Sequence, residues 1–254
     1  MDSNTLKLCL VQSELFWDDI DANLAEFEEK LSSIEEHPDI ILLPEMFNTG
    51  FNFNMESAEP MGGKTCQWAM LMAKRTNALI IGSFKCKEAG KIYNRAIAVF
   101  PEGKILHYDK KHLFQLSDEK NLFHPGEKNK IIQYKGWNIA LYICYDLRFP
   151  TWCRNKHLIY DLAIFVANWP KSRIRAWKSL LPARAVENQA YIAGVNIIGI
   201  DGMQTKYNGH SEVLQYDGKP LNETTEKEAI IFVELNKKNL VRFREKFPFH
   251  LDAD

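Results

Sequence analysis

The sequence of 254 residues contains 46% hydrophobic and 26% charged residues, a composition typical of a globular protein that builds its core without disulfides or a structural metal. Its formal net charge of -1 gives no general electrostatic reason to bind nucleic acid or an anionic membrane. No apolar run approaches the roughly 18–20 residues of a membrane span, and the N-terminal residues do not resemble a signal peptide. The five cysteines are scattered and odd in number, so we expect reduced thiols in a cytoplasmic protein.

The first third of the chain predicts strands that alternate with amphipathic helices. Leu6–Gln12 is expected to form a strand. A helix capped by Asp18 or Asp19 should follow, because its apolar residues recur every three or four positions. Three more predicted elements come next, namely a strand at Ile40–Leu43, a helix at about Thr65–Arg75 and a strand at Leu79–Phe84.

The middle of the chain predicts two β-hairpins. The first joins Tyr93–Phe100 to Lys104–Tyr108 through a Pro-Glu-Gly turn, and the second joins Ile131–Tyr134 to Trp137–Ile143 through a Lys-Gly turn. The intervening segment Lys110–Gly126 has no regular pattern, and we expect it to cover a site.

The last third returns to alternating elements. A helix is predicted after Pro150, then a strand at Leu162–Ala167 and a longer helix at about Arg173–Gln189 that Pro182 should kink or interrupt. The remaining predictions are strands at Tyr191–Ile198, Ser211–Tyr216 and Ala229–Glu234 and a terminal helix at Asn236–Lys246. Since no linker, low-complexity tract or repeat divides the chain, we predict a single layered α/β domain over residues 1–254, not a purely parallel doubly wound sheet.

Three potentially reactive side chains, Glu45, Lys110 and Cys144, each follow a predicted strand. Alone, each has a structural explanation, since charged residues are mostly exposed and cysteine is often a small core residue. Together they provide what thiol-mediated amide hydrolysis requires. A cysteine attacks as the thiolate, but its free pKa of about 8.5 requires a base, which Glu45 can supply. Lys110 and the backbone N–H after Cys144 can stabilise the anionic tetrahedral intermediate.

The segments around these residues resemble the signature blocks of the nitrilase, or carbon–nitrogen hydrolase, superfamily. They are LLPEMFNTGF, YDKKHLF and ICYDLRFP, and further matches at Tyr93-Asn94, ANWP and RAVENQAY extend the resemblance over nearly the whole chain. The resemblance implies a four-layer α-β-β-α sandwich, with two mixed sheets flanked by helices, and an acyl-enzyme on the cysteine. It also implies no metal or organic cofactor, and a homodimer or larger homo-oligomer.

The resemblance assigns a role to each residue of the set. Glu45 is implied to be the general base, Lys110 the stabilising lysine and Cys144 the nucleophile. Lys110 is selected over Lys111 because the family places its lysine two residues before the histidine of the HLF segment. Glu119 matches a supporting carboxylate near the site, with a loop carboxylate in a charged run as the structural alternative. The backbone N–H of Tyr145 is expected to support the intermediate.

Within the superfamily, EMFNTGF, ANWP and SRIRAW are most similar to the omega-amidase branch, which hydrolyses the terminal amide of short α-keto acid amides such as 2-oxoglutaramate. A small anionic substrate of this kind needs a cationic anchor for its distant carboxylate. The candidate anchors are Arg148, Arg173 and Arg175, and the candidate pocket walls are Phe47, Phe51 and Trp169. Each has a structural alternative, since the rings can pack in the core and Arg148 can pair with Asp146 or Glu187.

Other readings fit the sequence less well. A papain-like site is disfavoured because His107, His112 and His124 precede the cysteine, and no G-x-S-x-G, Walker A or G-x-G-x-x-G motif occurs. An N-carbamoyl-amino-acid hydrolase, an aliphatic amidase or a nitrilase would use the same three residues, so these members of the superfamily stay alternatives. From another class, an inactive relative that serves as a binding scaffold is disfavoured by the intact Glu–Lys–Cys set.

Overall fold

Two mixed β-sheets form the central layers of the protein in a computed structural model that describes residues 4–252. The strands, in chain order, are β1 (Thr5–Gln12), β2 (Ile40–Leu42), β3 (Glu59–Pro60), β4 (Leu79–Glu88), β5 (Lys91–Val99), β6 (Ile105–Asp109), β7 (Ile131–Tyr134), β8 (Trp137–Ile143), β9 (Leu162–Val166), β10 (Tyr191–Val195), β11 (Ile198–Ile200), β12 (Lys206–Asn208), β13 (Glu212–Leu214) and β14 (Ala229–Asn236). The helices are α1 (Ile20–Ser32), α2 (Lys64–Thr76), α3 (Glu119–Leu122), α4 (Pro150–Cys153), α5 (Ile174–Asn188) and α6 (Lys237–Lys246).

The larger sheet has seven strands in the order β14-β1-β2-β4-β5-β6, with β3 paired to β4. Strands β1, β2 and β4 are parallel, whereas β5 and β6 return as antiparallel hairpins. The smaller sheet has five strands in the order β13-β10-β9-β8-β7, and its β8, β9 and β10 are parallel. Strands β11 and β12 form a separate antiparallel pair.

The side chains of β1 show how the layers are built. Leu8 and Leu10 belong to the core cluster between the two sheets, whereas Cys9 and Val11 pack with the residues of α1 and α2. Because successive side chains of a strand point to opposite faces, a strand that is covered on both sides is apolar throughout. Helix α5 covers the smaller sheet, where Trp177 packs against β10. This arrangement confirms the predicted four-layer sandwich.

The strand directions bring three predicted reactive residues to one edge of the sandwich. Strands β2, β4 and β6 run in the same direction in the larger sheet, as do β8 and β9 in the smaller sheet. Glu45 follows β2, Lys110 directly follows β6 and Cys144 directly follows β8. All three therefore lie at the carboxyl ends of strands, where ligands bind in many α/β sheets.

Pro182 was predicted to kink or interrupt its helix, and the interruption does not occur. Helix α5 runs through Pro182 without a break. A proline inside a helix costs about 3 kcal/mol. Trp177 and Leu181 are both fully buried, and burial stabilises by about 1.5–3 kcal/mol for each large apolar side chain. Packing of this helix on the sheet therefore outweighs the loss of one backbone hydrogen bond.

The predicted strand Tyr191–Ile198 was also too long, because β10 ends at Val195. The side chain of the next residue, Asn196, accepts the N–H of Trp169 at 2.7 Å. It also donates to the carbonyls of Trp169 and Gly209 at 3.0 and 2.8 Å. These bonds direct the chain away from the sheet, so that a separate strand, β11, begins two residues later. The other predicted elements are present with small shifts of their ends.

The two ends of the described chain meet in one sheet, since β1 pairs with β14 along its whole length. This pairing is consistent with the predicted domain over residues 1–254, which stays a prediction. Residues 1–3, 253 and 254 lie outside the described residues. The prediction about the N-terminal segment therefore falls partly outside them. None of the helices between residues 4 and 252 has the combined length and apolarity needed to cross a bilayer.

Candidate active site

A cavity of about 220 Å³ opens at the edge where the strands end. Glu45 and Lys110 line it from the larger sheet, and Cys144 lines it from the smaller sheet together with Asn168, which follows β9. The fold therefore brings together three residues that are far apart in the sequence and that sequence analysis singled out for one chemistry.

Lys110 is the centre of a buried charge network. Its Nζ donates to Glu45 Oε1 at 2.8 Å and to Glu119 Oε1 and Oε2 at 2.9 and 3.0 Å. The side-chain amide of Asn94 donates to the same two carboxylates, at 2.8 and 3.1 Å. All four side chains are at most 1% exposed. Since a fully satisfied buried network is rigid, the lysine is held in a fixed position beside Glu45.

Charge compensation keeps Lys110 protonated. Burial alone would lower the pKa of this lysine, but the carboxylates of Glu119 and Glu45 raise it well above its usual value. For Glu119, burial raises the pKa, and the neighbouring lysine acts in the opposite direction. Lys110 is therefore a permanent cation, placed where it can stabilise negative charge that develops on a bound substrate.

Cys144 occupies a strained turn at the end of β8. Its φ of 44° lies in the left-handed region that residues other than glycine rarely adopt, and it begins the 3-10 helix Cys144–Arg148. The thiol is half-buried at the cavity. Burial and the nearby carboxylate of Glu45 raise its pKa well above the usual value, although Lys110 acts against them. The resting residue is therefore a neutral thiol, close to a carboxylate that can accept its proton.

The cavity wall combines aromatic rings with two guanidinium groups. The aromatic residues that line it are Phe51, Phe53, Phe114, Tyr145, Trp169 and Tyr207. The guanidinium of Arg148 lies 4.9 Å from the ring centroid of Trp169, and that of Arg173 lies 4.8 Å from the ring of Phe114. Neither is among the ion-paired arginines of residues 4–252, which are Arg75, Arg95, Arg184 and Arg244. Both cations therefore line the cavity without a carboxylate partner among these described residues.

Two candidates for substrate contact were wrong. Phe47 is fully buried in the core between the larger sheet and the helices, where its ring lies 5.8 Å from the rings of Phe27 and Trp68. Arg175 lies in the first turn of α5, is exposed to solvent and does not line the cavity. Sequence proximity to true lining residues suggested both, but the turn of the chain directs their side chains elsewhere.

The alternative pairing of Arg148 with Asp146 or Glu187 was also wrong. Glu187 binds Arg184 at 2.9 Å, and Asp146 is occupied by other donors, including Nδ1 of His112 at 2.8 Å. Nδ1 of His112 is thus bonded to Asp146, which is consistent with the rejection of a papain-like pair.

Two asparagines of the site were not predicted as functional residues. The backbone N–H of Asn168 donates to Glu45 Oε2 at 2.8 Å, and Asn94 bonds Glu45 as described above. Both lie in segments that resemble the family blocks, and Asn168 follows a predicted strand as Glu45 does. The position of Asn168 at a strand end was therefore a usable signal.

The hairpin of β11 and β12 also contributes unpredicted residues to the cavity wall, namely Asp201, Met203, Thr205 and Tyr207. Its position depends on close packing, because a Cβ added at Gly202 would lie 2.4 Å from the ring of Trp17. Since this contact joins distant parts of the chain, no local pattern in the sequence predicts it.

A thiol beside a carboxylate–lysine pair, in a cavity between two stacked mixed sheets, has the parts that a cysteine-dependent hydrolase of amides requires. Residues 7–245 match the family model described as carbon-nitrogen hydrolase, and the chain belongs to this family. The predicted superfamily and the prediction of an amide-hydrolysing enzyme are thereby confirmed.

Individual relatives agree with this assignment. The chain is 42% identical to omega-amidase YafV of Yersinia enterocolitica, over 99% of this chain and 98% of that protein. It is 32% identical to the 2-oxoglutaramate amidase of Bacillus subtilis, over 89% of each. A solved structure of a CN-hydrolase superfamily protein from Xanthomonas campestris, with an arsenic adduct in its active site, superposes with a TM-score of 0.97 at 36% identity, over 99% and 98% of the two chains.

Proposed function

We propose that the protein hydrolyses the terminal amide of 2-oxoglutaramate, or of the shorter 2-oxosuccinamate, to the dicarboxylic keto acid and ammonia. The observation that carries this proposal is one cavity that contains a thiol, a carboxylate–lysine pair and two arginines that form no ion pair within residues 4–252. Two relatives named omega-amidase and 2-oxoglutaramate amidase, at 42% and 32% identity, support the same substrate.

In the first half of the proposed reaction, Sγ of Cys144 attacks the amide carbon while Glu45 takes the thiol proton. Lys110 and the backbone N–H of Tyr145 stabilise the resulting oxyanion. The N–H of Tyr145 suits this role because it lies in the first turn of a 3-10 helix, where N–H groups lack an acceptor within the helix. The C–N bond then breaks, Glu45 gives its proton to the departing ammonia, and a thioester remains.

In the second half, water replaces ammonia. Glu45 takes a proton from the water as its oxygen attacks the thioester carbon, and Lys110 again faces the oxyanion. The C–S bond then breaks, the proton returns from Glu45 to the thiol, and the new carboxylic acid leaves and gives its proton to solvent. Glu119 supports both halves by holding Lys110 in place through its two hydrogen bonds.

Arg148 and Arg173 are the proposed anchors of the substrate carboxylate at the far end from the amide. Guanidinium binds a carboxylate through two parallel hydrogen bonds. The rings of Phe51 and Trp169 complete the wall and exclude water from the reacting carbon. Arg148→Gln and Arg173→Gln should each raise KM by about 10-fold or more, since a charge-assisted hydrogen bond contributes about 1.5–3 kcal/mol. The matched control is Arg175→Gln, which removes a solvent-exposed arginine nearby and should leave KM unchanged.

A substrate panel tests the proposed function directly. Ammonia release is measured with 2-oxoglutaramate, L-glutamine and N-carbamoyl amino acids, and mass spectrometry identifies the acyl adduct trapped on Cys144. We expect kcat/KM to favour 2-oxoglutaramate by at least about 100-fold, or about 2.7 kcal/mol of transition-state stabilisation. A panel in which a carbamoyl substrate is preferred by the same factor would contradict the proposal and favour the N-carbamoyl-amino-acid hydrolases.

We also propose that the enzyme acts in the cytoplasm as a homodimer or larger homo-oligomer. All five cysteines are free thiols, as expected in a reducing compartment. Two outer helices expose apolar side chains, Val186 of α5 at 54% and Val241 of α6 at 40%, which an interface between copies could cover. Light scattering coupled to size-exclusion chromatography measures the assembly, and a monomer at micromolar concentration would contradict this part of the proposal.

A further inference from the structure

Asp146 lies two residues after the nucleophile and is fully buried. Its carboxylate accepts four hydrogen bonds. Oδ2 accepts the hydroxyl of Tyr108 at 2.7 Å and the backbone N–H of Ile143 at 3.1 Å. Oδ1 accepts the backbone N–H of His112 at 2.9 Å and lies 2.8 Å from Nδ1 of the same residue. A carboxylate with its acceptor sites filled in this way has one possible orientation.

These partners lie on both sides of the active site. Ile143 immediately precedes Cys144, whereas Tyr108 and His112 flank Lys110 by two residues on either side. The carboxylate therefore connects the turn of the nucleophile to the segment that carries the lysine. These two segments belong to different sheets, so Asp146 connects the two layers at the point where their reactive residues meet.

Aromatic side chains surround and reinforce this connection. The hydroxyl of Tyr108 also accepts the indole N–H of Trp152 at 3.0 Å and the backbone N–H of Lys111 at 3.2 Å. The ring of His112 stacks on Phe149 with centroids 3.7 Å apart and an interplanar angle of 7°. Tyr108 is 1% exposed, so these bonds are shielded from competition by water.

We propose that Asp146 is a positioning residue for the amide hydrolysis proposed above, assisted by Tyr108. Its carboxylate holds Cys144 in the left-handed turn and keeps the turn in register with Lys110. A non-glycine residue with φ of 44° persists only where surrounding contacts determine it, and the bond from Ile143 to Asp146 closes this turn. Neither Asp146 nor Tyr108 lines the cavity, so each acts through Cys144 and Lys110 and not on the substrate.

Asp146→Asn tests this role with almost no change of volume. Both carboxylate oxygens accept a backbone N–H, so the amide group of asparagine faces one of these donors in either orientation. We expect kcat to fall by about 100-fold, the loss associated with a displacement of about 1 Å of reacting groups, with KM within two-fold of the wild-type value. Tyr108→Phe removes one hydroxyl and one of the four bonds, so its kcat should fall by a smaller factor, again without a change in KM.

The matched control is Asp161→Asn. Asp161 is also buried and accepts a backbone N–H, that of Asn138 at 3.0 Å, and it pairs with Arg244 at 3.1 Å. It precedes β9 and so lies at the end of the sheet opposite to the site. This variant should lose thermal stability and keep the wild-type kcat. If Asp161→Asn and Asp146→Asn lowered kcat equally, or if Asp146→Asn changed KM and not kcat, the positioning role would be refuted.

A second readout does not depend on the substrate. The rate at which iodoacetamide alkylates Cys144, followed by peptide mass spectrometry, should fall at least about five-fold in Asp146→Asn and remain unchanged in Asp161→Asn, since the displaced thiol loses its base. If the wild-type enzyme did not hydrolyse 2-oxoglutaramate, the proposed function would be refuted. The alkylation rates would still test the positioning role, because they do not depend on the substrate. If Asp146→Asn did not fold, Tyr108→Phe would decide it, and an alkylation rate equal to wild type would refute it.

Discussion

Lys110→Met is the substitution whose consequences follow most directly from the geometry of the site. Methionine is close to lysine in volume but carries no charge. In the variant, Glu45 and Glu119 would remain buried with Asn94 as their common donor. Removing one partner of a buried ion pair costs about 3–5 kcal/mol, because the remaining charge is uncompensated. At about 2–4 °C per kcal/mol for a chain of this size, Tm at pH 7 should fall by roughly 10 °C.

The pH dependence of this loss identifies its cause. Without the lysine, nothing opposes the burial and the repulsion by Glu45 that raise the pKa of Glu119 above its unfolded value. The folded variant then binds more protons than the unfolded chain, so its stability falls as pH rises and recovers as pH falls. Measured by urea denaturation, the deficit relative to wild type should be largest at pH 7 or above and should shrink at pH 5.

Two further variants separate charge from packing. In Lys110→Met combined with Glu119→Gln, one of the two buried charges is absent, so part of the stability at pH 7 should return. Lys85→Met is the matched control, because Lys85 is equally buried but bonds mainly neutral oxygens, those of Asn52 and Asn54 among them. Its deficit should not shrink on acidification. A Lys110→Met variant that is as stable as wild type at pH 7, or whose deficit grows on acidification, would refute this account of the network.

Three other predictions concern the nucleophile, its protonation and the packing of α5. Cys144→Ala should abolish ammonia release while Tm stays close to wild type, as differential scanning fluorimetry checks. Because burial and Glu45 raise the pKa of this thiol, kcat/KM should show no rise near pH 8.5, where a free cysteine titrates. A rise at pH 8.5 would contradict the neutral thiol. Gly194→Ala should destabilise by about 1–3 kcal/mol in urea denaturation, because the new Cβ would lie 2.7 Å from the ring of Trp177, and an unchanged midpoint would contradict that packing.

The sequence was sufficient for the elements whose signals are local. The hairpin of Ile131–Tyr134 and Trp137–Ile143 has the predicted boundaries. Its turn and its apolar residues are adjacent in the sequence, so a local pattern is enough to predict it. The carboxyl ends of buried strands were equally visible, and together with the resemblance to the family blocks they selected Glu45, Lys110 and Cys144.

Features that depend on tertiary packing were not visible in this way. Helix α5 continues through Pro182 because the smaller sheet, which is distant in sequence, buries its apolar face. The rule that proline breaks a helix considers only the local backbone and not this burial. The role of Asp146 was missed for a related reason, since its partners come from two different segments. The sequence suggests Asp146 as a partner of Arg148, a nearby cation in the chain, whereas its actual donors are Tyr108, His112 and Ile143.

Burial disfavours the thiolate form of Cys144, so the thiol must lose its proton during the reaction. The hydrogen bonds of Glu45 explain how its carboxylate can accept that proton. An ionised carboxylate has about four acceptor sites on its two oxygens. Lys110 and Asn94 bond Oε1, and the backbone N–H of Asn168 bonds Oε2, so three sites are filled and the last is on Oε2. Because these donors come from three segments of the fold, the carboxylate cannot rotate, and its remaining site is the one that can take the proton of Cys144. Transfer then accompanies formation of the C–S bond, which removes the need for a free thiolate in the resting enzyme.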